Sequence, residues 1–439
     1  MSGFCLDPWH RERLGFDPGP ETLRAWQAER AAEVVRQARA ASPFYRRKFA
    51  GLPENAPHAA LPRTTPAELA QNPDAFLCAS RDEVARVVTL RSSGTTGEAK
   101  RLFHSAGDLE RTAAFFSHGM RQMADPGDGV LILLPGDTSG GVAALLSGAL
   151  ARWGARGLAH GPLRENGKTM EDALACIRDE GARCVVGSPA QVNALALAWE
   201  ARGLPGGAVR SVLLCWDAIP EAVAANAQRA LGCEVFRHWG MVETGLGGAV
   251  DCTAHRGMHL READMLVEAA DPDTGAPLPD GETGELVVTT LSRRVMPLIR
   301  YRTGDMGRIL PGRCACGSVL RRMEVGPRLA AQGDAGAPLP LAALNELAYG
   351  VAGLVDFLAE YAPGPISELR VQTRAARGAS RDAVADALKK RLEAALPPGW
   401  RPKVACVEGE EPFEPSEHWL AKRVLRRAEN QPQPKDHSP

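Results

Sequence analysis

The chain has 439 residues, of which 44% are hydrophobic and 24% charged, as in ordinary globular proteins. At about 150 residues per domain, this length predicts two or three domains and supports a core without disulfide or metal staples. With 52 Lys and Arg against 53 Asp and Glu, the net charge is −1, which gives no support to a nucleic-acid or polyanion binder.

The N-terminal residues show neither the basic start nor the apolar core of a signal peptide. The longest apolar stretch, around 140–153, is too short and too interrupted to span a bilayer. We therefore expect a cytoplasmic protein with no membrane partner, whose ten cysteines are thiols or metal ligands.

Helices and strands are expected to alternate through the first half of the chain. A helix is predicted over 22–41, and a second begins where Ser105 and Asp108 form a capping box. Short apolar runs typical of strands buried on both faces follow at 130–134, 184–187 and 211–215. Helical segments at 189–202 and 220–231 separate these runs. This pattern predicts an α/β domain with a largely parallel sheet.

The second half of the chain predicts smaller units. From 258 to 310, short strands linked by Gly, Pro and Asp turns predict a β-rich subdomain. The stretch 324–340 is rich in Gly, Ala and Pro and predicts a hinge or linker. We therefore expect a large domain over 1–323, a small α+β domain over 341–428 and a disordered tail over 429–439.

A run of small and hydroxyl residues follows the strand-like RVVTLR and ends at Lys100. Backbone N–H groups of small residues can approach phosphate oxygens closely, and hydroxyls and a lysine add donors and charge. The run lacks the Gly-Lys-Ser/Thr ending of a Walker P-loop. It predicts a phosphate-binding loop, with a flexible polar loop as the alternative. Its members before the lysine include Ser92, Ser93, Gly94, Thr95, Thr96 and Gly97.

A second motif, RHWGMVETG over 237–245, also follows a predicted strand. Trp239 before Gly240 can offer a flat face to a nucleotide base. Glu243 offers the hard carboxylate oxygens that Mg²⁺ prefers. The alternative is a tryptophan that packs in the core.

A third motif, YRTGD over 301–305, places Asp305 directly after a tight glycine turn. A carboxylate there can accept two hydroxyl hydrogen bonds, as a ribose diol requires. The alternative is an ordinary turn aspartate.

In this order and at these intervals, the three motifs resemble those of the adenylate-forming superfamily and, within it, the phenylacetate–CoA ligase-like branch. The likeness extends to SPFYRRKF, DPDTGAPLPDGETGELVVTTL, MPLIRYRTGD and CACG, and covers residues 20–325. It implies a large α/β domain with a parallel sheet and a β-rich subdomain, followed by a small mobile α+β domain. It also implies a ligase that makes an acyl-AMP from Mg·ATP and a carboxylic acid, then transfers the acyl group to a thiol, usually that of CoA.

The resemblance further assigns roles to individual residues. The loop 92–100 would wrap the ATP phosphates, and Glu243 would bind Mg²⁺ and act with Lys100 in catalysis. Trp239 would stack on adenine in the place of the family's usual Tyr, and Asp305 would hold the ribose hydroxyls. The remaining residues that it places in the nucleotide pocket are Asp217, His238, Gly240 and Arg328.

Three features depart from the family pattern. Val242 stands where the family usually has Thr or Ser. The hinge sequence 326–330 keeps a Gly and Arg328 but has no acidic residue. The family's C-terminal Gly-Lys pair falls on Trp419-Leu420, which makes Lys422 the candidate for the adenylating lysine. A solvated surface charge is the alternative for Lys422.

A further constellation comprises Cys252, His259, Cys314 and Cys316, with His255 as an alternative ligand. Thiolates and an imidazole suit a closed, tetrahedral, structural Zn²⁺ site. Simple free thiols are the alternative, because the C-x-C spacing is less diagnostic than C-x-x-C.

The sequence therefore predicts an ATP-dependent acid–thiol ligase whose acid is unknown, with aryl or arylacetic acids favoured by the resemblance. Gly140, Gly141 and Trp153 are candidate neighbours of the acid pocket. Two rivals remain: an adenylating enzyme with an acceptor other than CoA, and a weakened paralogue that binds nucleotide or an acyl ligand. The resemblance also suggests a homodimer.

Overall fold

The computed structural model describes residues 4–90, 100–138, 140–163, 167–329, 336–364, 367–413 and 425–428. The phosphate-loop residues 92–97 and Lys422 lie outside the described residues.

Helices form in the described residues where the sequence supplies caps and apolar faces. Ser105 illustrates this: its Oγ accepts a hydrogen bond from Asp108 N at 3.1 Å, while Asp108 Oδ2 accepts one from Ser105 N at 2.9 Å. The described helices are α1 (Leu6–Leu14), α2 (Pro20–Ala41), α3 (Pro43–Lys48), α4 (Pro66–Gln71), α5 (Ala106–Gly119), α6 (Val142–Ala151), α7 (Met170–Arg178), α8 (Pro189–Ala201), α9 (Glu221–Leu231), α10 (Leu341–Tyr349) and α11 (Arg381–Ala395).

The described strands build three sheets. In chain order they are β1 (Arg86–Leu90), β2 (Lys100–His104), β3 (Gly129–Ile132), β4 (Arg156–Leu158), β5 (Ala182–Gly187), β6 (Ser211–Leu214), β7 (Glu234–Trp239), β8 (Ala249–Val250), β9 (Met258–Leu260), β10 (Met265–Ala270), β11 (Gly284–Thr290), β12 (Tyr301–Leu310), β13 (Arg322–Arg328), β14 (Leu354–Ala362), β15 (Ser367–Ala375), β16 (Trp400–Glu408) and β17 (Arg426–Arg427).

The largest sheet has the strand order β10-β11-β12-β13-β9-β8-β7-β6-β5-β3-β4. Its strands from β4 to β7 pair in parallel, and those from β7 to β10 pair antiparallel. The expected parallel sheet with a β-rich extension is thus confirmed. Functional groups can meet where the parallel strands end, because their carboxyl ends share one edge of the sheet.

A separate four-stranded sheet, β16-β15-β14-β17, carries α10 and α11, which confirms the small C-terminal α+β unit. This unit packs on α8 and α9. Asn193 Nδ2 donates to the carbonyls of Leu354 and Val355 at 2.9 Å each, and Asn226 Nδ2 donates to Tyr349 O at 3.1 Å.

The predicted linker over 324–340 differs from the structure at its start. Strand β13 continues to Arg328, so residues 324–328 pair with β12 instead of forming a connection. The Gly326-Pro327 composition indicated a break, but pairing with β12 outweighs that local preference.

Trp153 and Gly141 lie at opposite ends of the parallel strands. Helix α6 starts after the carboxyl end of β3 and returns the chain to the amino end of β4, and Trp153 follows α6. Trp153 is therefore near the amino ends of these strands and Gly141, which precedes α6, near their carboxyl ends, so the two predicted neighbours of the acid pocket are not brought together. Among the described helices, none has the length and apolar composition needed to cross a membrane.

Candidate active site

Glu243 lies in a short 3₁₀ turn, Val242–Thr244, that follows β7. Gly245 ends this turn with φ +76°, a conformation that favours glycine. The Glu243 side chain is only 3% exposed. The turn therefore presents a buried carboxylate close to the carboxyl edge of the sheet.

Two groups from other strands bind this carboxylate. Lys100, the first residue of β2, places Nζ 2.7 Å from Glu243 Oε1. Tyr301, the first residue of β12, donates its hydroxyl to the same oxygen at 3.0 Å. Three segments far apart in sequence thus meet at one charged group.

Burial alone would raise the pKa of Glu243, because it penalises the charged form. The positive charge of Lys100 and the hydrogen bonds from Lys100 and Tyr301 outweigh burial, so the pKa lies below its ordinary value. Burial and the nearby Glu243 charge raise the pKa of the Tyr301 hydroxyl well above its usual range. Glu243 is therefore ionised and Tyr301 protonated at neutral pH.

Asp305 forms a second buried centre. Gly304 has φ +74°, which turns the chain within β12 just before Asp305. Trp239 Nε1 donates to Asp305 Oδ2 at 2.9 Å, and Arg328 Nε lies 3.2 Å from Oδ1. The Arg328 side chain is half-exposed, whereas Asp305 is buried.

The structure thus brings Lys100 to Glu243, and Trp239 and Arg328 to Asp305. Trp239 is itself buried: a Cβ at Gly248 would fall 2.5 Å from its ring. Asp217 follows β6, one strand away from β7, and its Oδ1 accepts a hydrogen bond from Ala218 N at 2.8 Å. The adjacent Trp216 has φ +80°, an uncommon backbone conformation for a bulky residue.

Two residues that contribute to the site, Tyr301 and Arg293, were not assigned this role from the sequence. Tyr301 stands in a quoted motif, but only the fold shows that its hydroxyl reaches Glu243. Arg293 is buried and donates to the carbonyl of Val242 at 3.1 Å, which supports the turn that carries Glu243. The available signal was the arginine pair, Arg293 and Arg294, next to the apolar run VMPLI.

The cysteine and histidine constellation assembles in the described part of the chain. The ligand atoms of Cys252, His259, Cys314 and Cys316 all lie within 4.8 Å of one another. Cys252 Sγ is 3.6 Å from Cys314 Sγ, and Cys316 Sγ is 3.3 Å from His259 Nε2. His259 Nδ1 lies 3.1 Å from Leu320 O, and in the tautomer that donates there, Nε2 presents its lone pair to the sulfurs.

His255, the alternative ligand, is not part of this group. Its Nε2 lies 2.7 Å from Glu234 Oε1, and hydrogen bonds to acidic partners raise its pKa against the effect of burial.

Comparisons with known proteins identify the family of this chain. The profile of the family described as AMP-binding enzyme matches residues 26–296, which is more than half of the chain. The chain therefore belongs to the AMP-binding enzyme family.

Within that family, its curated relatives include phenylacetate–coenzyme A ligases. The Thermus thermophilus protein is 32% identical over 330 residues, covering 72% of this chain and 71% of the relative. The Aromatoleum evansii protein is 31% identical, covering 66% of this chain and 67% of the relative.

A solved structure supports the fold. A 2-hydroxyisobutyryl-CoA ligase, crystallised in its post-adenylation state, aligns with a TM-score of 0.75 at 19% identity. The alignment covers 94% of this chain and 90% of that one.

Proposed function

We propose that the chain is an AMP-forming acyl-CoA ligase acting on a small carboxylic acid. The observation that carries the proposal is the buried Glu243 carboxylate, which Lys100 and Tyr301 hold, and Trp239 on the strand before it binds Asp305. Membership of the AMP-binding family supports it. The named acids of the relatives, phenylacetate among them, define the first compounds to test.

The proposed reaction has two steps. A carboxylate oxygen of the acid bonds to the α-phosphorus of ATP, and the bond from that phosphorus to pyrophosphate breaks. The CoA sulfur, having lost its proton, then bonds to the acyl carbon, and AMP leaves with the electron pair of the broken acyl–oxygen bond. Both steps need positioning and charge stabilisation, and neither needs a nucleophilic side chain of the protein.

The described residues fit these substrates. Asp305 would accept the ribose hydroxyls, with Trp239, Gly240, His238 and Asp217 around the base and Arg328 beside the carboxylate. Glu243 would hold Mg²⁺, which when bound neutralises phosphate charge. Lys100 would turn from Glu243 to the phosphates. The loop 92–97 and Lys422 complete the proposed set from outside the described residues.

A glutamine variant tests the role of Glu243. Replacing Glu243→Gln removes the charge that holds Lys100 and would hold Mg²⁺, so we expect acid-dependent pyrophosphate release to fall at least about 100-fold. The control Glu324→Gln removes an exposed glutamate that pairs with Arg308, and should keep the parent rate. Equal rates in the parent and Glu243→Gln would refute the assignment.

We further propose that the four-residue cluster holds a structural Zn²⁺. Two sulfurs bound to one tetrahedral Zn²⁺ at 2.3 Å lie about 3.8 Å apart, and a bound sulfur and nitrogen about 3.6 Å. The separations of 3.6 Å and 3.3 Å are close to these values. The three thiols and one imidazole leave no open position, so the role is to join the loop around 314–320 to β9.

Elemental analysis tests the zinc proposal. Protein purified without chelators should carry one zinc per chain, Cys314→Ser should lose it, and the control Cys78→Ser, outside the cluster, should keep it. Parent protein that neither contains nor takes up zinc would refute the site.

The domain boundaries, the mobility of the unit over 341–428, a homodimer and a cytoplasmic location also remain proposals. They are supported by the resemblance and by the sequence features described above.

A further inference from the structure

A small cavity with three arginines in its wall lies beside the turn that carries Glu243. It is partly open to solvent and has a volume of about 20 Å³, enough for one particle the size of a water molecule. Its wall comes from α5, from the turn after β7, and from the segments that follow β9 and β11. The residues that line it include Arg111, Thr112, Gly245, Arg261, Ser292 and Arg293.

Arg293 brings an unsatisfied donor to this cavity. The residue is 6% exposed, and its Nη1 has no hydrogen-bond partner among the described residues. Its Nη2 donates to the carbonyl of Val242 at 3.1 Å. A buried donor without a partner is costly, and more costly on a charged group, so a species bound in the cavity would lower the free energy of the fold.

The side of Gly245 where other residues carry a Cβ faces the same polar groups. A Cβ there would fall 3.2 Å from Arg293 Nη2, 3.3 Å from Thr112 Oγ1 and 4.0 Å from Arg261 Nη1. A larger residue would fill this space, whereas glycine leaves it to a ligand. Two guanidinium groups and a hydroxyl therefore converge around one position.

The charge around the cavity is positive. Arg111 Nη2 lies 2.6 Å from Asp108 Oδ1, and Arg261 Nη2 lies 2.6 Å from Asp264 Oδ2. These two aspartates are the acidic residues that line the cavity, and both are paired with its other two arginines. The charge of Arg293 is thus in excess there, which favours an anion over a neutral or cationic ligand.

Glu243 also acts on Arg293 through its charge, but it is already paired with Lys100 at 2.7 Å. Burial lowers the pKa of Arg293, and the nearby charge of Arg261 lowers it too. A guanidinium group remains protonated in proteins despite such effects. An anion in the cavity would therefore meet a positive charge that the surrounding carboxylates leave partly uncompensated.

We propose that this cavity binds a single chloride ion. Chloride is close in size to the water molecule that the cavity admits, whereas the tetrahedral phosphate and sulfate ions are larger. Arg293 and Arg261 donate to the ion, which links α5 to the turn 242–245 and holds that turn in place. The proposal does not rest on the ligase reaction.

Melting in matched salts tests the site. The full chain is heated in mixtures of sodium chloride and sodium gluconate at constant ionic strength, because gluconate is too large for the cavity. The melting temperature should rise with chloride and level off, gaining roughly 2 °C at about ten times the dissociation constant. An equal melting temperature in every mixture would overturn the proposal and leave water as the occupant.

Variants locate the ion. Arg293→Gln removes a donor and its charge, and Arg111→Gln leaves Asp108 to repel the anion, so both should lose the chloride-dependent rise. The control Arg308→Gln removes an exposed arginine that pairs with Glu324, and should keep it. A rise that persists unchanged in both cavity variants would show that chloride acts elsewhere. Arg111→Gln decides the matter if Arg293→Gln does not fold.

Bromide gives a direct readout, since it resembles chloride and scatters X-rays anomalously. Crystals of the parent protein soaked in sodium bromide should show an anomalous peak beside Arg293 Nη1, and crystals of Arg111→Gln should show a weaker one. Peaks confined to the protein surface would overturn the proposal. A lack of AMP formation with every acid would overturn the proposed function alone, because these measurements need no substrate.

Discussion

At the residue scale, the site depends on how Glu243 remains charged inside the protein. A buried ion is costly unless a countercharge and hydrogen bonds compensate it. Lys100 supplies the charge and Tyr301 a further donor, and both reach the same oxygen. Under the proposed function, Lys100 and Glu243 would separate when phosphate and Mg²⁺ bind.

Replacing Tyr301→Phe removes the hydroxyl donor from Glu243 and should raise the pKa of that carboxyl towards its ordinary value. If activity needs the ionised carboxylate, it should then begin to fall at a higher pH as the solution is acidified. The acid limb of the pH–rate profile should therefore move to higher pH. At neutral pH we expect a loss of about tenfold in kcat/KM.

The matched control is Tyr349→Phe, which removes a hydroxyl that donates to Asp356 in the C-terminal unit at 2.9 Å. It should leave the pH profile in place. An unshifted acid limb in Tyr301→Phe would show that its hydrogen bond does not tune Glu243.

At the element scale, local signals predicted some elements and tertiary contacts decided others. The capping box at Ser105 placed the start of α5 correctly, because it acts within one helical turn. The continuous apolar runs likewise marked β5 and β6. The approach of Tyr301 to Glu243 could not be predicted, because it brings the start of β12 to the turn after β7 although β13, β9 and β8 separate these two strands in the sheet. The Gly326-Pro327 pair wrongly predicted the start of a linker, because pairing with β12, which the local sequence does not reveal, extends β13 to Arg328.

Helix α8 shows how one element joins two units. Its apolar residues are buried on all sides, and Asn193 on the same helix bonds two carbonyls of the C-terminal unit. Replacing Asn193→Ala leaves those carbonyls buried without this donor. We expect a loss of roughly 1–3 kcal/mol in unfolding free energy, measured by chemical denaturation.

The control Asn72→Ala removes an amide that caps the 3₁₀ turn Pro73–Phe76, outside α8 and the C-terminal unit. If the C-terminal unit unfolds separately, Asn193→Ala should advance that transition, while Asn72→Ala should not. If Asn193→Ala unfolds at the same denaturant concentration as the parent protein, the contact at Asn193 does not stabilise the fold.

At the scale of the whole molecule, stability should depend on pH through buried histidines. Burial lowers the pKa of His10 to about 4, and burial followed by the nearby Arg293 charge lowers that of His104 to about 3. In the unfolded chain both groups titrate near 6.5. Their contribution is therefore complete above pH 6.5 and is lost as the pH falls towards these lower values.

Between pH 7 and pH 5 we expect each of these histidines to reduce the unfolding free energy by roughly 1–2 kcal/mol. Urea denaturation at a series of pH values measures the slope. A His104→Gln variant should flatten it, and a parent stability that stays constant over this range would contradict the prediction.

The central claim is that the chain couples ATP cleavage to the formation of an acyl-CoA. The most direct test is AMP release by the parent protein from Mg·ATP with each of a panel of carboxylic acids, with and without CoA. The account predicts AMP that depends on the acid and increases when CoA is added. AMP release that depends on the acid but not on CoA would point to another acceptor. No AMP release with any acid, while the protein still binds ATP, would contradict the claim that the chain is a ligase.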